Sequence, residues 1–136
     1  MKIISQIASG NGAHVIHKSL EAHVANYQVI SYKPSKTLFP PLLCRVGKNI
    51  KVDLIHTTAD YGLFHAKKGI PLVLTFHNYV LDALMHAYSS TLQNFHYQTD
   101  LKWFTQWSTR LADQITAVSH YTAHLVEREL QLSKSI

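Results

Sequence analysis

The sequence predicts an α/β fold: a Rossmann-like open parallel sheet of about five or more strands with helices on both faces. Short apolar runs alternate with segments whose apolar residues recur at helical spacing, in the order β-α-β-α-β-α-β-α-β-α. Turn-forming glycine, proline and asparagine residues separate many of these segments. The composition, with 46% hydrophobic and 15% charged residues, is that of an ordinary globular protein. We therefore expect a single domain over residues 1–136.

In the first part of the chain, residues 2–8 form a short β-branched run that Ser9-Gly10-Asn11-Gly12 ends, which predicts a strand and a tight turn. Residues 13–25 predict a helix, because their apolar side chains recur at helical spacing. Residues 27–32 predict the second strand. The stretch from 33 to 49 contains three prolines and predicts a loop with a short helix. The apolar residues of the first helix are Val15, Ile16, Leu20 and Val24.

The middle of the chain repeats the strand–helix pattern. Residues 52–57 predict the third strand, and residues 60–68 predict a short helix that Gly69 stops. Pro71 then opens the fourth predicted strand, residues 72–78, as proline is tolerated at the start of a strand.

The last part adds a helix, a strand and a second helix. Residues 101–112 predict a helix with Phe104, Trp107 and Leu111 on its buried side and Trp103 off it. Residues 114–118 predict the fifth strand, and Ser119 is a suitable N-cap for a helix over 120–130. Residues 80–99 have poor periodicity and predict no regular element.

The generic topology places a ligand site at the carboxyl edge of this sheet. Open α/β sheets bind ligands at the carboxyl ends of the strands, at the point where the strand order reverses. If the strand order is 3-2-1-4-5, the first and fourth strands are neighbours there. The turn Gly10-Asn11-Gly12 and His77 then line one crevice. Glycine lets backbone N–H groups approach a ligand, and a helix N-terminus favours phosphate. The alternative is a tight turn with no ligand.

Four stretches of the sequence together resemble the N-terminal, acceptor-side domain of glycosyltransferase family 4, whose members have the GT-B fold. Each motif alone is weak, but the four follow one another in the family's order and at natural spacings over nearly the whole chain. They are MKIISQIASGNGAHVIHKSL, VDLIHTTADYGLFHAKKGIP, PLVLTFHNY and LADQITAVSHYTAHLVERELQL.

The resemblance implies roles for several residues. His77 would contact a sugar, since imidazole both donates and accepts hydrogen bonds; the alternative is a histidine satisfied by backbone groups. Gly10, Asn11 and Gly12 would approach the diphosphate or sugar of the donor. Asn78 would assist His77 or merely turn the chain, and Ser119 would reach the ligand or only cap its helix. His56 and Asp60 flank the third strand's end, where an acceptor contact competes with a structural role.

The resemblance also implies co-substrates and partners. The expected activity is sugar transfer from a nucleotide sugar to a sugar or lipid acceptor, with no cofactor and no metal. The donor-binding domain, with its basic pair and Glu-x7-Glu motif, is absent from this sequence. We therefore expect this chain alone to be inactive, and to be completed by such a domain in cis or in trans. A stand-alone binding module, or a subunit that pairs with a separate donor-binding chain, is the alternative. A dinucleotide-dependent enzyme is disfavoured, because the first turn lacks GxGxxG.

Charge and residue usage bear on partners and location. The net charge of +5 is scattered and forms no nucleic-acid stripe, so no nucleic acid is expected; peripheral contact with an anionic membrane stays an open alternative. The single Cys44 is expected to be a buried small hydrophobe in a cytoplasmic protein. The histidine pairs 14/17 and 120/124 are too few for a closed zinc site and predict partly solvated helix faces.

Overall fold

A computed structural model describes residues 1–78, 100–132 and 136. It confirms the α/β prediction, with five parallel strands in one sheet. The segment 80–99, for which the sequence predicts no element, lies outside the described residues. The strands are β1 (Ile3–Ala8), β2 (Tyr27–Tyr32), β3 (Leu54–Thr58), β4 (Leu72–Phe76) and β5 (Gln114–Ala117). The helices are α1 (Gly12–His23), α2 (Gly62–His65), α3 (Lys102–Leu111) and α4 (His120–Leu130), with 3₁₀-helices at Pro34–Leu38 and Pro40–Arg45.

The strand order is β2-β1-β3-β4-β5, so the expected order 3-2-1-4-5 is wrong. β1 pairs with β2 over its whole length and with β3 at Ile3 and Ile4, and β3 separates β1 from β4. The reversal of strand order therefore lies between β1 and β3, where doubly wound sheets of this order bind their ligands. Spacing along the chain does not distinguish the two orders, because both satisfy right-handed crossovers.

Helices cover both faces of the sheet. On one face, Ser5 of β1 contacts His17 of α1, with 2.8 Å between Ser5 Oγ and His17 Nδ1. On the other face, Leu74 of β4 lies against Gly62 of α2. α3 joins α2 there, because the Ser108 hydroxyl accepts a hydrogen bond from the backbone N–H of Leu63 at 2.9 Å.

The apolar core lies on the α2–α3 face. Alternate residues of the strands point to it, as expected for a pleated strand. α4 adds three apolar residues to the same cluster. The buried cluster consists of Ile4, Val52, Ile55, Ala59, Leu72, Leu74, Phe76, Ala112, Ile115, Leu125, Val126 and Leu130.

The buried side of α1 differs from the predicted one. Val15 is 68% exposed, and Ile16 and Val24 are also exposed, whereas His17 is 0% exposed. The apolar periodicity therefore identified the outer side of the helix. The helix turns its polar side inward because the sheet face beneath it is itself polar and bonds His17.

The buried side of α3 is also not the predicted aromatic one. Trp107 and Leu111 are exposed, and the buried residues of the helix are Thr105, Ser108 and Thr109. Of the predicted residues, Phe104 is half-buried, with its ring centroid 5.1 Å from that of Phe64. Small side chains allow α3 to approach α2 closely, and the Thr105 hydroxyl is satisfied within the helix by donating to the Leu101 carbonyl.

Cys44 is exposed, contrary to the prediction, because its neighbour Leu43 takes the fully buried position.

The packing of α2 against β4 and α3 leaves no room for a side chain at Gly62. A Cβ at this position would lie 2.5 Å from Leu74 Cδ2, which belongs to a fully buried core residue, and 3.4 Å from Ser108 Cβ. We expect Gly62→Ala to reduce the free energy of unfolding by about 1–3 kcal/mol, as overpacking does. Urea unfolding measures it. Gly12→Ala is the matched control, since no neighbour in residues 1–78, 100–132 or 136 lies within 4 Å of the added Cβ; equal stability of the two variants would contradict the expectation.

Candidate functional site

A cavity of about 500 Å³ opens at the carboxyl ends of β1, β3 and β4. Five of the residues singled out from the sequence line it, although β1 and β4 are not adjacent; β3 contributes the wall between them. The lining residues are Ile7, Ala8, Asn11, Gly12, Ala13, Ile16, Tyr32, Thr58, Ala59, Asp60, Tyr61, Thr75, Phe76, His77 and Asn78.

Two candidate residues, Gly10 and Ser119, have structural positions outside the cavity, and a third, Asn11, has a structural role as well. Gly10 adopts the left-handed conformation (φ +85°) in the turn after β1 and does not line the cavity. Ser119 lies outside the cavity and caps α4, where its hydroxyl accepts from the Thr122 backbone N–H at 3.1 Å. Asn11 lines the cavity and also caps α1, because its Oδ1 accepts from the His14 backbone N–H at 2.8 Å.

His17 lies at the centre of a hydrogen-bonded layer that reaches the cavity at Thr75 and His77. Its Nδ1 is 2.8 Å from Ser5 Oγ and 2.7 Å from the Tyr27 hydroxyl oxygen. Its Nε2 is 3.0 Å from Nε2 of His77. His17 thus links the sheet to the histidine that follows β4, and the prediction of a partly solvated His14/His17 pair is wrong for His17.

The layer continues across the sheet from His17. The Tyr27 hydroxyl is 2.8 Å from Nδ1 of His56, and His56 Nε2 is 2.7 Å from Thr75 Oγ1. Thr75 Oγ1 is in turn 2.7 Å from Thr116 Oγ1. With Ser5, every strand of the sheet supplies one member, so a single hydrogen-bonded chain connects β5 to the cavity. We call this set the polar layer: Ser5, His17, Tyr27, His56, Thr75, His77 and Thr116.

The imidazoles of the polar layer are neutral at neutral pH. Burial lowers the pKa of His17 from 6.5 to about 3, and the neighbouring His56, His77 and His14 contribute in the same direction. Burial, with His77 as a second cause, lowers the pKa of His56 to about 4. Burial also lowers the pKa of His77. Each ring therefore carries one N–H, which donates, and one bare nitrogen, which accepts.

Asp60 is the acidic side chain of the cavity wall. It follows β3, and burial raises the pKa of its carboxyl from 3.8 to about 6. Near neutral pH the group is mostly ionised and gains a proton readily. A carboxylate, an imidazole and the Asn78 amide around one cavity can hydrogen-bond a ligand rich in hydroxyl groups.

Sequence reasoning missed most of the polar layer. It named His56 and His77, but it assigned no functional or buried polar role to Ser5, Tyr27, Thr75 or Thr116. A signal was present: strands of a parallel sheet covered on both faces are usually continuous apolar runs. In β1, β3 and β4, polar residues interrupt those runs.

Within residues 1–78, 100–132 and 136, no group of three or more His, Cys, Asp or Glu side chains is arranged to hold a metal ion. Over the same residues, no helix is long and apolar enough to cross a membrane.

Comparison with known families gave one match. The model of the family described as Glycosyltransferase Family 4 matches residues 7–135, nearly the whole chain. A search of curated proteins found no significant match. The matched range contains the turn before α1, the cavity and every member of the polar layer except Ser5.

Proposed function

Since the chain belongs to glycosyltransferase family 4, we propose that it forms the acceptor-side half of a GT-B cleft that transfers sugar from a nucleotide donor. The observation that carries this proposal is the cavity at the carboxyl edge of the sheet. It combines a helix N-terminus at Gly12 with the polar side chains of Asp60, His77 and Asn78. The first suits a phosphate and the others suit sugar hydroxyls.

The two sides of the cavity bind different parts of the donor: one side binds the diphosphate and the other binds the sugar. Gly12 begins α1, and among the residues that the structure describes none approaches within 4 Å of where its Cβ would be, so a diphosphate can approach the backbone N–H groups there. His77 and Asn78 then face the transferred sugar. Asp60 lies at the end of β3, next to Tyr61, and accepts a hydrogen bond from an acceptor hydroxyl.

A second domain completes this cleft in the proposed enzyme. The sequence contains no Glu-x7-Glu motif, since its glutamates are Glu21, Glu127 and Glu129. The donor-binding half is then supplied in cis or by another chain, and the 136 residues alone are inactive. We place the enzyme in the cytoplasm, with any membrane contact peripheral, and with no metal cofactor.

An activity assay tests this proposal. The chain is incubated with nucleotide sugars, alone and joined to the donor-binding domain of a family 4 enzyme, and release of nucleoside diphosphate is followed. We expect release only from the joined protein. Turnover by the isolated chain would contradict the division into two halves. A folded joined protein that releases no nucleotide with any common nucleotide sugar would contradict the glycosyltransferase function itself.

Gly12→Leu should weaken nucleotide-sugar binding in the joined protein at least about tenfold, or about 1.4 kcal/mol. The new side chain would fill the space in front of the α1 N-terminus, where the described part of the chain has no close neighbour to displace. The free energy of unfolding should change by no more than about 0.5 kcal/mol. Isothermal titration measures the affinity. Val15→Leu is the control on the same helix, since Val15 is exposed and does not line the cavity; equal affinities of the two variants would exclude a diphosphate site at Gly12.

A further inference from the structure

The proton positions in the polar layer follow from one fixed end. A backbone carbonyl only accepts, so the Thr116 hydroxyl donates to the Leu74 carbonyl at 3.2 Å. A hydroxyl has a single proton, and Thr116 must therefore accept in its 2.7 Å bond with Thr75. The Thr75 hydroxyl therefore donates its single proton to the Thr116 oxygen. The Thr75 oxygen consequently accepts from Nε2 of His56, 2.7 Å away.

The same counting continues through the aromatic members of the layer. His56 has its one proton on Nε2, so its Nδ1 accepts from the Tyr27 hydroxyl at 2.8 Å. The Tyr27 oxygen is then free to accept from Nδ1 of His17 at 2.7 Å. The Ser5 oxygen lies 2.8 Å from the same Nδ1 and is compatible with this direction, because it can accept from that N–H as well.

His77 is the last member of this series of hydrogen bonds, at the end that faces the cavity. With its proton on Nδ1, His17 has a bare Nε2, which accepts from Nε2 of His77 at 3.0 Å. One way to reverse the direction is for Thr116 to withdraw its proton from the Leu74 carbonyl, which loses one hydrogen bond. The other is for Ser5 to donate to Nδ1 of His17, which leaves two lone pairs facing each other across the 2.7 Å contact between Tyr27 and His17. We infer that the polar layer fixes His77 as the Nε2–H tautomer, so that its Nδ1 is unprotonated and can only accept a hydrogen bond.

This inference restricts the ligand that His77 can bind. Its Nδ1 is buried and has no hydrogen-bond partner within the described residues. An accepting nitrogen bonds a hydroxyl or N–H of the ligand and disfavours a phosphate or carboxylate oxygen. The role toward a sugar hydroxyl rests on the proposed function, whereas the tautomer does not. His17, Tyr27, His56, Thr75 and Thr116 are then positioning residues that act on the ligand through His77.

The tautomer is measured in the ligand-free chain labelled with ¹⁵N-histidine. Long-range ¹H–¹⁵N spectra distinguish a protonated ring nitrogen from a bare one. We expect His77 and His56 to be protonated on Nε2, and His17 to be protonated on Nδ1. A proton on Nδ1 of His77 at neutral pH, or averaged signals from both tautomers, would overturn the inference. Because no ligand is present, the result does not depend on sugar transfer.

Two substitutions test whether the chain of hydrogen bonds through the polar layer sets the tautomer of His77. Thr116→Val removes the fixed end at an exposed position and should raise the Nδ1–H population of His77, while Thr116→Ser keeps the hydroxyl and should restore the wild-type spectrum. Tyr27→Phe interrupts the chain between His56 and His17. In that background Thr116→Val should no longer affect His77. An unchanged His77 tautomer in Thr116→Val, or an equal response with and without the Tyr27 hydroxyl, would refute control through the layer.

Discussion

Lowering the pH from 7 to 5 should reduce the free energy of unfolding by several kcal/mol. Burial holds the pKa of His17 near 3 and the pKa values of His56 and His65 near 4. In the unfolded chain these side chains take up a proton near pH 6.5, so at pH 5 the unfolded state binds more protons than the folded state. By linkage, the free energy of unfolding falls as the pH falls from 7 to 5, by at most about 2 kcal/mol for each histidine that stays unprotonated in the folded state.

Asp60 opposes this trend without reversing it. Burial raises the pKa of its carboxyl to about 6, so the folded state takes up this proton before the unfolded state does. Its contribution to stability therefore increases as the pH falls from about 6 to 4, by about 1 kcal/mol at pH 5. The histidines, being three against one carboxyl, should dominate.

Urea unfolding followed by circular dichroism between pH 7 and pH 5 measures the effect. His65→Phe should reduce the pH dependence by the share of one histidine. Stability that is constant or rises from pH 7 to pH 5 would show that the buried rings accept protons in the folded state.

His17→Leu should reduce the free energy of unfolding by about 3–5 kcal/mol, the range for breaking a buried polar network. The ring is fully buried and bonds Ser5, Tyr27 and His77. Leucine fills a similar volume but leaves these polar groups without their partner. Urea unfolding at neutral pH measures the loss.

His65→Phe is the comparison that separates hydrogen bonding from burial. His65 is 3% exposed, and neither of its ring nitrogens has a partner within the described residues. Phenylalanine retains a ring against Tyr32, whose centroid lies 5.8 Å away, and removes two unsatisfied polar atoms. We expect a gain of about 1 kcal/mol. Similar losses in both variants would mean that the His17 hydrogen bonds contribute little.

The sequence predicted the elements that local chemistry decides. The glycine turn after β1, the strand that Pro71 precedes and the Ser119 cap all lie where the structure has them. Gly12 and His77 also line one cavity, as predicted, although the reasoning assumed the wrong neighbours. That outcome follows because all carboxyl ends of a parallel sheet lie at one edge, whatever the order of the strands.

The buried sides of α1 and α3 could not be predicted in the same way. Apolar periodicity assumes that the neighbouring surface is apolar, and it failed at His17 and at Trp107. His17 is buried because it finds hydroxyl partners on β1 and β2. Trp107 is exposed because the close approach of α3 to Gly62 requires small residues.

The α/β class, the positions of most strands and helices, and the family resemblance all follow from the amino-acid sequence alone. Strong local signals specify these features: β-branched runs, turn residues and helix caps. The strand order and the polar layer, in contrast, become visible only in the folded protein. Both depend on contacts between residues far apart in the chain, such as His17 and His77, 60 positions apart. No local pattern records which buried polar groups will meet.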